Sequence, residues 1–376
     1  MDCSKSWVAP NHGLGLILQS SLPGGGKVDE WIIGVCQEFP QSTAAEIHLQ
    51  TQSRYPQWMV RFTVLASGSK GNSTVVTGGR TRILVDAGLS CRELFRRMHL
   101  AGEDPETLDA ILITHEHTDH VGGLAVTARK LGIPVYFTEG THRAWMRWLT
   151  PRRQMTYAQW LEQCKKQAAE REAVELEDPE EQEVPDPIPD TADPTPDPNR
   201  VPSRKEDPTW LPAVEYFQAG QPFDIGDIAV SPFTIPHDAA DPVGFVFRTE
   251  GLRLACATDL GYIPPNVKAQ LKALDLLLLE SNHDLEMLRD GPYPWSVKQR
   301  VLSRVGHLSN EATADFLENT YDGQAAYVIL AHLSESNNLP ELARVAAERA
   351  LNGHASLLAN KLLLADQNEP LAPIYF

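Results

Sequence analysis

The stretch Thr114-His-Glu-His-Thr-Asp-His120 decides the fold. It directly follows the apolar run Ala110-Ile-Leu-Ile113, which predicts a buried strand. Three imidazoles and a carboxylate at a strand end are typical of a metal site, because neutral imidazole is the commonest transition-metal ligand. On an extended or turning backbone, the side chains of the first two histidines face the same way. The side chains of the aspartate and the third histidine then lie at a second position further along the loop. One loop can thereby serve two ions, through His115, His117, Asp119 and His120.

Two metal ions need more ligands than this loop supplies, and three further ligand-type residues follow predicted strands. His237, Asp259 and His332 each come after an apolar run. One such residue usually caps a helix or a turn. Three of them, together with the histidine-rich loop, favour metal ligation instead.

Short apolar runs alternate with helical patterns on both sides of this loop. The predicted strands are 62–65, 74–77, 82–85, 110–113, 134–137, 228–235, 244–249, 253–257, 274–279 and 326–331. The predicted helices are 90–98, with Ser90 as N-cap, 121–131, 141–148, 266–273, 295–305, 309–320 and 339–351. This order predicts an α/β sandwich of two mixed sheets packed back to back, with helices outside.

Two segments do not fit this pattern. Residues 1–58 show no sustained period and predict a poorly ordered extension, so the domain is 59–376, and translation could begin at Met1 or Met59. Within the domain, 154–212 is predicted as an insertion: a charged helix, then a disordered stretch from 177 with ten prolines. Residues 170–212 hold 14 acidic and 4 basic side chains, so the net charge of −17 says little about the active site.

Composition indicates a cytoplasmic protein with no membrane segment. Hydrophobic content of 42% and 22% charged residues are ordinary for a globular protein. The five cysteines are widely spaced and include no CxxC pair, which favours a reducing compartment. No apolar run is long enough to cross a bilayer, and the N-terminus lacks a basic region and cleavage site of the secretory type.

The spacing of these residues resembles the metallo-β-lactamase superfamily, whose fold is an αββα sandwich. More closely, the chain is similar to the YycJ/WalJ-type proteins, cytoplasmic bacterial members described as exonucleases. The similarity covers about 60–142 and 213–351. It is carried by Phe62–Asn72, Ile235–Phe245, Leu279–Leu288, Tyr293–Arg300, Gly306–Glu311 and Ala331–Asn338.

The resemblance implies a role for each candidate ligand. His115, His117 and His237 would hold one ion, Asp119, His120 and His332 would hold the other, and Asp259 would bridge them. A bridging hydroxide would be the nucleophile, because two cations lower the pKa of water. The nitrogen-rich set favours two Zn²⁺ ions, with Mn²⁺ as the alternative.

Gly306-His307-Leu-Ser309 resembles the proton-shuttle motif of tRNase Z. By that resemblance His307 is a general acid for the leaving group and Glu280 is its acidic partner. The alternative is that His307 caps the following helix. His283 and Asp284 are expected either to orient a ligand imidazole or to be simple turn residues.

Basic residues precede this motif on a predicted helix. Lys298, Arg300 and Arg304 are expected to hold phosphates or, equally, to form a solvated helix face. Trp295 is expected to be a core anchor rather than a base-stacking residue. The glycine-rich loop Ser67–Ser73 lacks the spacing of a phosphate-binding loop and is expected to be a tight turn beside the active site.

The function predicted from these features is a two-metal hydrolase, a phosphodiesterase or nuclease acting on nucleic acid and resembling a DNA exonuclease. The alternative is a small-molecule hydrolase for a lactam, lactone or thioester on the same metal core. A non-catalytic metal-binding regulator is a third hypothesis, and an apparently complete ligand set disfavours it. DNA against RNA, exonuclease against endonuclease, the physiological metal and the oligomeric state are left open.

Overall fold

Two mixed β-sheets form the centre of the computed structural model, which describes residues 60–150, 207–352 and 361–376. The first sheet contains β1 (Arg61–Ala66), β2 (Ser73–Thr77), β3 (Arg82–Val85), β4 (Ala110–Leu112), β5 (Pro134–Phe137), β6 (Ala213–Tyr216) and β14 (Ile374–Tyr375). The second contains β7 (Phe223–Ile225), β8 (Ile228–Thr234), β9 (Val243–Thr249), β10 (Leu252–Ala257), β11 (Leu276–Glu280), β12 (Tyr327–Ala331) and β13 (Lys361–Leu364). The predicted extension, 1–58, and most of the predicted insertion lie outside the described residues.

The helices are short and amphipathic. They are α1 (Cys91–Leu100), α2 (Thr118–Val121), α3 (Leu124–Leu131), α4 (Glu139–Leu149), α5 (Pro265–Gln270), α6 (Leu285–Asp290), α7 (Trp295–Val301), α8 (Asn310–Asn319) and α9 (Pro340–Asn352). The predicted cap is confirmed, since Ser90 Oγ accepts a hydrogen bond from the backbone of Glu93. Among the described helices, none has both the length and the apolar character that a membrane span requires.

The two sheets share one pattern of strand directions. The order is β14-β1-β2-β3-β4-β5-β6 in the first and β7-β8-β9-β10-β11-β12-β13 in the second. In each, the first three pairs are antiparallel and the last three are parallel. The carboxyl ends of parallel strands lie at the same edge, so loops that follow β3, β4, β10, β11 and β12 can meet there.

Alternating side chains of each sheet supply an inner and an outer core. In β11, Leu276 and Leu278 belong to the cluster shared by both sheets, whereas Leu277 and Leu279 pack in the cluster under the helices of the second sheet. A separate outer cluster lies under the helices of the first sheet and includes Trp145. Burial on both faces explains the unbroken apolar runs of these strands. The predicted αββα sandwich is confirmed.

The predicted helix 121–131 is wrong at its start, because two short helices occupy this region. Helix α2 begins at Thr118, and α3 follows after Gly122 and Gly123. A Cβ atom on Gly123 would lie 1.8 Å from Leu89 O, so a side chain there is excluded by close backbone approach. This approach brings the histidine-rich loop against the turn that follows β3.

The last residues of the predicted insertion are ordered, which moves its end before Asp207. The Arg129 guanidinium on α3 donates hydrogen bonds to the carbonyl oxygens of Asp207, Pro208 and Trp210, each at 2.8 Å. The chain then enters β6, which pairs with β5 in parallel. The prediction that disorder extends to Pro212 is therefore wrong at this end.

The C-terminal residues belong to the first sheet. Strand β14 pairs with β1, and Gln367 holds the loop between β1 and β2. Its Oε1 accepts from Lys70 N at 2.8 Å, and its backbone oxygen accepts from Arg97 Nη1 at 2.8 Å. The C-terminal segment thus fixes a loop that borders the site.

Candidate metal centre

All seven predicted ligands lie together at the carboxyl edge of the sheets. The loop and helix after β4 carry His115, His117, Asp119 and His120, and the residues after β8, β10 and β12 are His237, Asp259 and His332. Their potential ligand atoms form overlapping groups within 4.8 Å of one another. The structure thus brings together side chains that are far apart in sequence.

The first group consists of three imidazoles. His115 Nε2 lies 3.1 Å from His117 Nδ1, and His237 Nε2 lies 3.2 Å from the same atom. Burial lowers the pKa of His115 and of His237. Both rings are therefore neutral near pH 7, and a neutral ring is the form that binds a metal ion.

The second group adds a carboxylate. Asp119 Oδ2 lies 3.5 Å from His120 Nε2 and 3.4 Å from His332 Nε2. Burial lowers the pKa of His120, but Asp86, Asp259 and Asp119 more than offset this effect and raise it to about 9. The excess of negative charge around these imidazoles favours a cation.

Asp259 lies between the two groups. Its Oδ2 is 3.4 Å from His120 Nε2, and its Oδ1 is 3.5 Å from His332 Nε2 and 4.0 Å from His237 Nε2. The side chain is buried, and Oδ2 has no hydrogen-bond partner among the described residues. A buried carboxylate oxygen without a partner is costly unless a cation is present. These residues therefore fit the binding of a divalent metal ion.

Other side chains fix the orientation of the rings. Asp86 Oδ2 lies 2.8 Å from His120 Nδ1, and Thr114 Oγ1 lies 3.0 Å from His115 Nδ1 and donates to Asp86. The Gly306 carbonyl oxygen lies 3.2 Å from His237 Nδ1. Such contacts leave the opposite ring nitrogen to face the metal. The sequence analysis missed Asp86, although this residue also follows a strand directly.

Three residues of the site have left-handed backbone conformations. The φ angles are 59° for Asp86, 63° for Asp259 and 56° for His332. Asp86 and His332 directly follow β3 and β12, and Asp259 lies two residues after the end of β10. This conformation is unfavourable for residues other than glycine and is often found at functional sites. The turn it produces points each side chain across the sheet edge.

The glycine-rich loop between β1 and β2 borders the site, as predicted. Asn72 Nδ2 lies 3.2 Å from Asp119 Oδ2 and 3.0 Å from His120 Nε2. Ser67 Oγ accepts a hydrogen bond of 2.8 Å from the backbone of His332. The loop therefore positions ligands, and Asn72 is a further site residue that the sequence analysis did not single out.

His307 and Glu280 form a hydrogen-bonded pair over this centre. His307 Nδ1 lies 2.7 Å from Glu280 Oε1, and the His307 ring stacks on that of His332 with centroids 5.1 Å apart. Glu280 is fully buried, and its Oε1 also lies 3.2 Å from His332 Nδ1. One carboxylate thus positions both a candidate ligand and a candidate proton donor. The alternative that His307 caps the next helix is wrong, because Ser309 is the N-cap of α8.

The other predicted site residues have different partners. The Asp284 side chain caps α6 by accepting from Met287 N at 2.9 Å, so it does not orient a ligand ring. His283 is buried, and its ring nitrogens have no partner among the described residues. Lys298 is buried and donates to the Arg289 carbonyl at 2.7 Å, so the predicted phosphate contact and the predicted solvated face are both wrong for it.

Arg300 lies at the rim of the site. Its guanidinium pairs with Asp238, whose Oδ1 is 3.5 Å from His237 Nε2. Arg304 lies over the Tyr262 ring at 4.4 Å, in a cation–π contact. Trp295 is 65% exposed, so the prediction of a core anchor is wrong. The first turn of a short surface helix does not bury this ring.

Known proteins resemble the chain in sequence and in fold. The sequence model of the metallo-β-lactamase superfamily matches residues 66–319. The chain is 34% identical to exodeoxyribonuclease YycJ of Bacillus anthracis, over 78% of this chain and 89% of the relative. It is 32% identical to exodeoxyribonuclease WalJ of Streptococcus pneumoniae, over 76% of this chain and 86% of the relative. The metallo-β-lactamase fold protein YhfI of Bacillus subtilis superposes with a TM-score of 0.52 at 14% identity, over 83% of this chain and 99% of YhfI.

Proposed function

Because the chain belongs to the metallo-β-lactamase superfamily, we propose that it is a metal-dependent phosphodiesterase that hydrolyses DNA as an exonuclease. The observation that carries this proposal is the His307–Glu280 pair beside the seven candidate ligands. A phosphodiester releases an alkoxide, which is a poor leaving group without a proton. A positioned imidazole therefore suits this substrate class better than an activated lactam or thioester.

The candidate ligands divide into two sets that share one carboxylate. His115, His117 and His237 would hold one ion, Asp119, His120 and His332 would hold the other, and Asp259 would contact both. Five imidazoles and two carboxylates are typical of zinc, so Zn²⁺ is the proposed metal. The bound ions would supply Lewis acidity and lower the pKa of water towards neutrality.

The residues of the chain contribute position and proton transfer. Glu280 Oε1 accepts from His307 Nδ1, so the proton for the leaving oxygen would come from His307 Nε2. Glu280 is itself held by Leu260 N, which donates to Oε2 at 2.6 Å. This bond fixes the carboxylate, and with it the direction of the imidazole.

The proposed function is tested by purified protein of known zinc and manganese content. It is given labelled single-stranded and duplex DNA, RNA and a chromogenic lactam. Progressive shortening of DNA from an end is the expected result. Turnover of the lactam without hydrolysis of any nucleic acid would overturn the proposal.

Removal of the metal is expected to destabilise the fold. In the chelated protein the potential ligand atoms stay close together without a bound metal ion, and their carboxylates are balanced only by protonated imidazole such as that of His120. Binding at a free metal concentration about 1,000-fold above Kd contributes ~4 kcal/mol, which corresponds to roughly 10 °C in Tm for a domain of this size. Calorimetry with and without chelator measures this difference. Equal Tm values in the two conditions would contradict the assignment.

Asp86→Asn is expected to weaken metal binding by about 10–100-fold, the usual effect of removing a carboxylate that orients a ligand histidine. The carboxylate lies 2.8 Å from His120 Nδ1 and also accepts from Thr114 N. Titration with zinc in a competing chelator measures the affinity. The matched control is Asp224→Asn, because Asp224 is exposed on β7 and should bind zinc as the native protein does. Equal affinities of the two variants would rule out the positioning role.

The proposed partner is nucleic acid, and the proposed location is the cytoplasm. The two described cysteines, Cys91 and Cys256, are free and buried, which suits a reducing compartment.

A further inference from the structure

A cleft of about 710 Å³ opens beside the metal centre, between the histidine-rich loop and helix α4. Its volume is in the range of small-molecule sites, roughly 300–1,000 Å³. The lining residues of the two elements are Glu116, His117, Thr118, Ala144, Arg147, Trp148 and Thr150. His117 belongs to both the cleft and the candidate metal centre, so a group bound in the cleft lies next to the ions.

Trp148 presents an indole ring to this cleft. It is 62% exposed, whereas Trp145 on the same helix is 1% exposed and packs in the outer core of the first sheet. Arg147 and Trp148 follow Ala144 by three and four residues, so each lies next to Ala144 on the surface of α4. The fold buries one tryptophan of this helix and leaves the other in water beside the candidate metal centre. An exposed aromatic face is a platform on which a nucleobase can stack.

Arg147 supplies a cation at the same place. Within the described part of the chain no ion pair involves Arg147, whereas Arg143, one turn earlier, pairs with Glu139. A guanidinium without a carboxylate partner can hold a phosphate through two parallel hydrogen bonds. The acidic residue of the cleft is Glu116, whose Oε1 accepts from Ala240 N at 2.9 Å, which turns this oxygen away from Arg147; its Oε2 is buried and has no hydrogen-bond partner among the described residues.

We infer that this cleft binds one unpaired nucleotide of a single-stranded nucleic acid, with its base stacked on Trp148 and a phosphate on Arg147. The inference rests on the proposed nuclease function and adds the subsite that holds the strand beside the ions. The cleft borders the candidate metal centre at His117. The proposed proton donor His307 contacts the centre elsewhere, through ring contacts with His237 and His332.

The test measures equilibrium binding by the metal-loaded protein. A fluorescent single-stranded oligonucleotide with phosphorothioate linkages resists hydrolysis, so its Kd is measured by anisotropy without turnover. Trp148→Leu is expected to raise Kd about 10-fold, since loss of one base stack costs about that factor. Trp148→Phe keeps an aromatic face and should recover most of the affinity. Metal content and Tm should be unchanged in both variants, because the ring is exposed.

A series of oligonucleotides with one abasic position identifies the stacked base. At one position the native protein should lose about 10-fold in affinity, and Trp148→Leu should lose nothing further. Arg147→Ala should lower the slope of log Kd against log salt concentration by about 0.7, the contribution of one phosphate contact to a single strand. Arg143→Ala should leave this slope unchanged. Identical Kd values for the native protein and Trp148→Leu, or equal abasic losses in both at every position, would overturn the subsite. Failure of the native protein to hydrolyse ordinary DNA would instead overturn the proposed function, while the anisotropy still reports on the subsite.

Discussion

His307→Ala is expected to lower kcat on an oligonucleotide by about 10²–10⁴-fold and to leave the metal content unchanged. A general acid contributes a factor of this size when the leaving group needs a proton. His307 shares one group of potential ligand atoms with Asp259, Glu280 and His332, but it is not among the seven ligands assigned to the two proposed ions. Its backbone N–H donates separately to the Val301 carbonyl at 3.0 Å. Removal of the ring should therefore disable proton transfer without dismantling the metal centre. Single-turnover kinetics and metal analysis of one sample measure both quantities.

The identity of the leaving group distinguishes proton donation from a structural role. A nucleotide p-nitrophenyl ester releases a phenolate that is stable without a proton, so His307→Ala should hydrolyse it at close to the native rate. An equal loss on the ester and on the oligonucleotide would show that the ring serves the site in another way.

Asp259→Asn is expected to abolish activity and to reduce metal occupancy. Both carboxylate oxygens face candidate ligand imidazoles, and the amide that replaces them carries no charge. Metal ions supply several kcal/mol of transition-state stabilisation, so the rate should fall by at least about 10³-fold. Metal analysis after gel filtration, together with the DNA hydrolysis rate, tests this expectation.

Asp284→Asn is the matched control for this variant. Its carboxylate caps α6, and asparagine is an equally good N-cap, so metal content, Tm and rate should all stay near native values. If Asp259→Asn keeps both ions and its activity, the bridging assignment is wrong. If Asp284→Asn loses metal, the structural reading of the cap is wrong.

The candidate metal centre could be predicted from the sequence because its side chains follow a simple rule. Ligand-type residues that directly follow buried strands meet where the strands end, and this rule found His237, Asp259 and His332. The same rule would have found Asp86, which directly follows β3. The Gly306 carbonyl oxygen, which orients the His237 ring, is placed by a three-dimensional contact, and no spacing in the chain reveals it.

Two kinds of wrong prediction from the sequence have a physical explanation. The two-residue strand β14 and the short strand β13 carry too little periodicity to be recognised, and β14 pairs with β1 at the other end of the domain. The second kind concerns Lys298, for which the sequence predicts either a phosphate contact or a place on a solvated helix face. Lys298 instead turns inward because a carbonyl oxygen is available to its ammonium group. Tertiary contacts decided both cases.

The attachment of the C-terminal segment to the first sheet has a consequence for biosynthesis. Gln367 and Gly71, which share a hydrogen bond, are 296 residues apart in the chain. At about 5–20 residues per second, a nascent chain waits roughly 15–60 s between the emergence of the loop and that of the residue that holds it. Throughout this interval the edge of β1 lacks its partner strand β14, and an unpaired strand edge can recruit other nascent chains. The candidate metal centre likewise waits for its last candidate ligand, His332, which is synthesised more than 200 residues after His115.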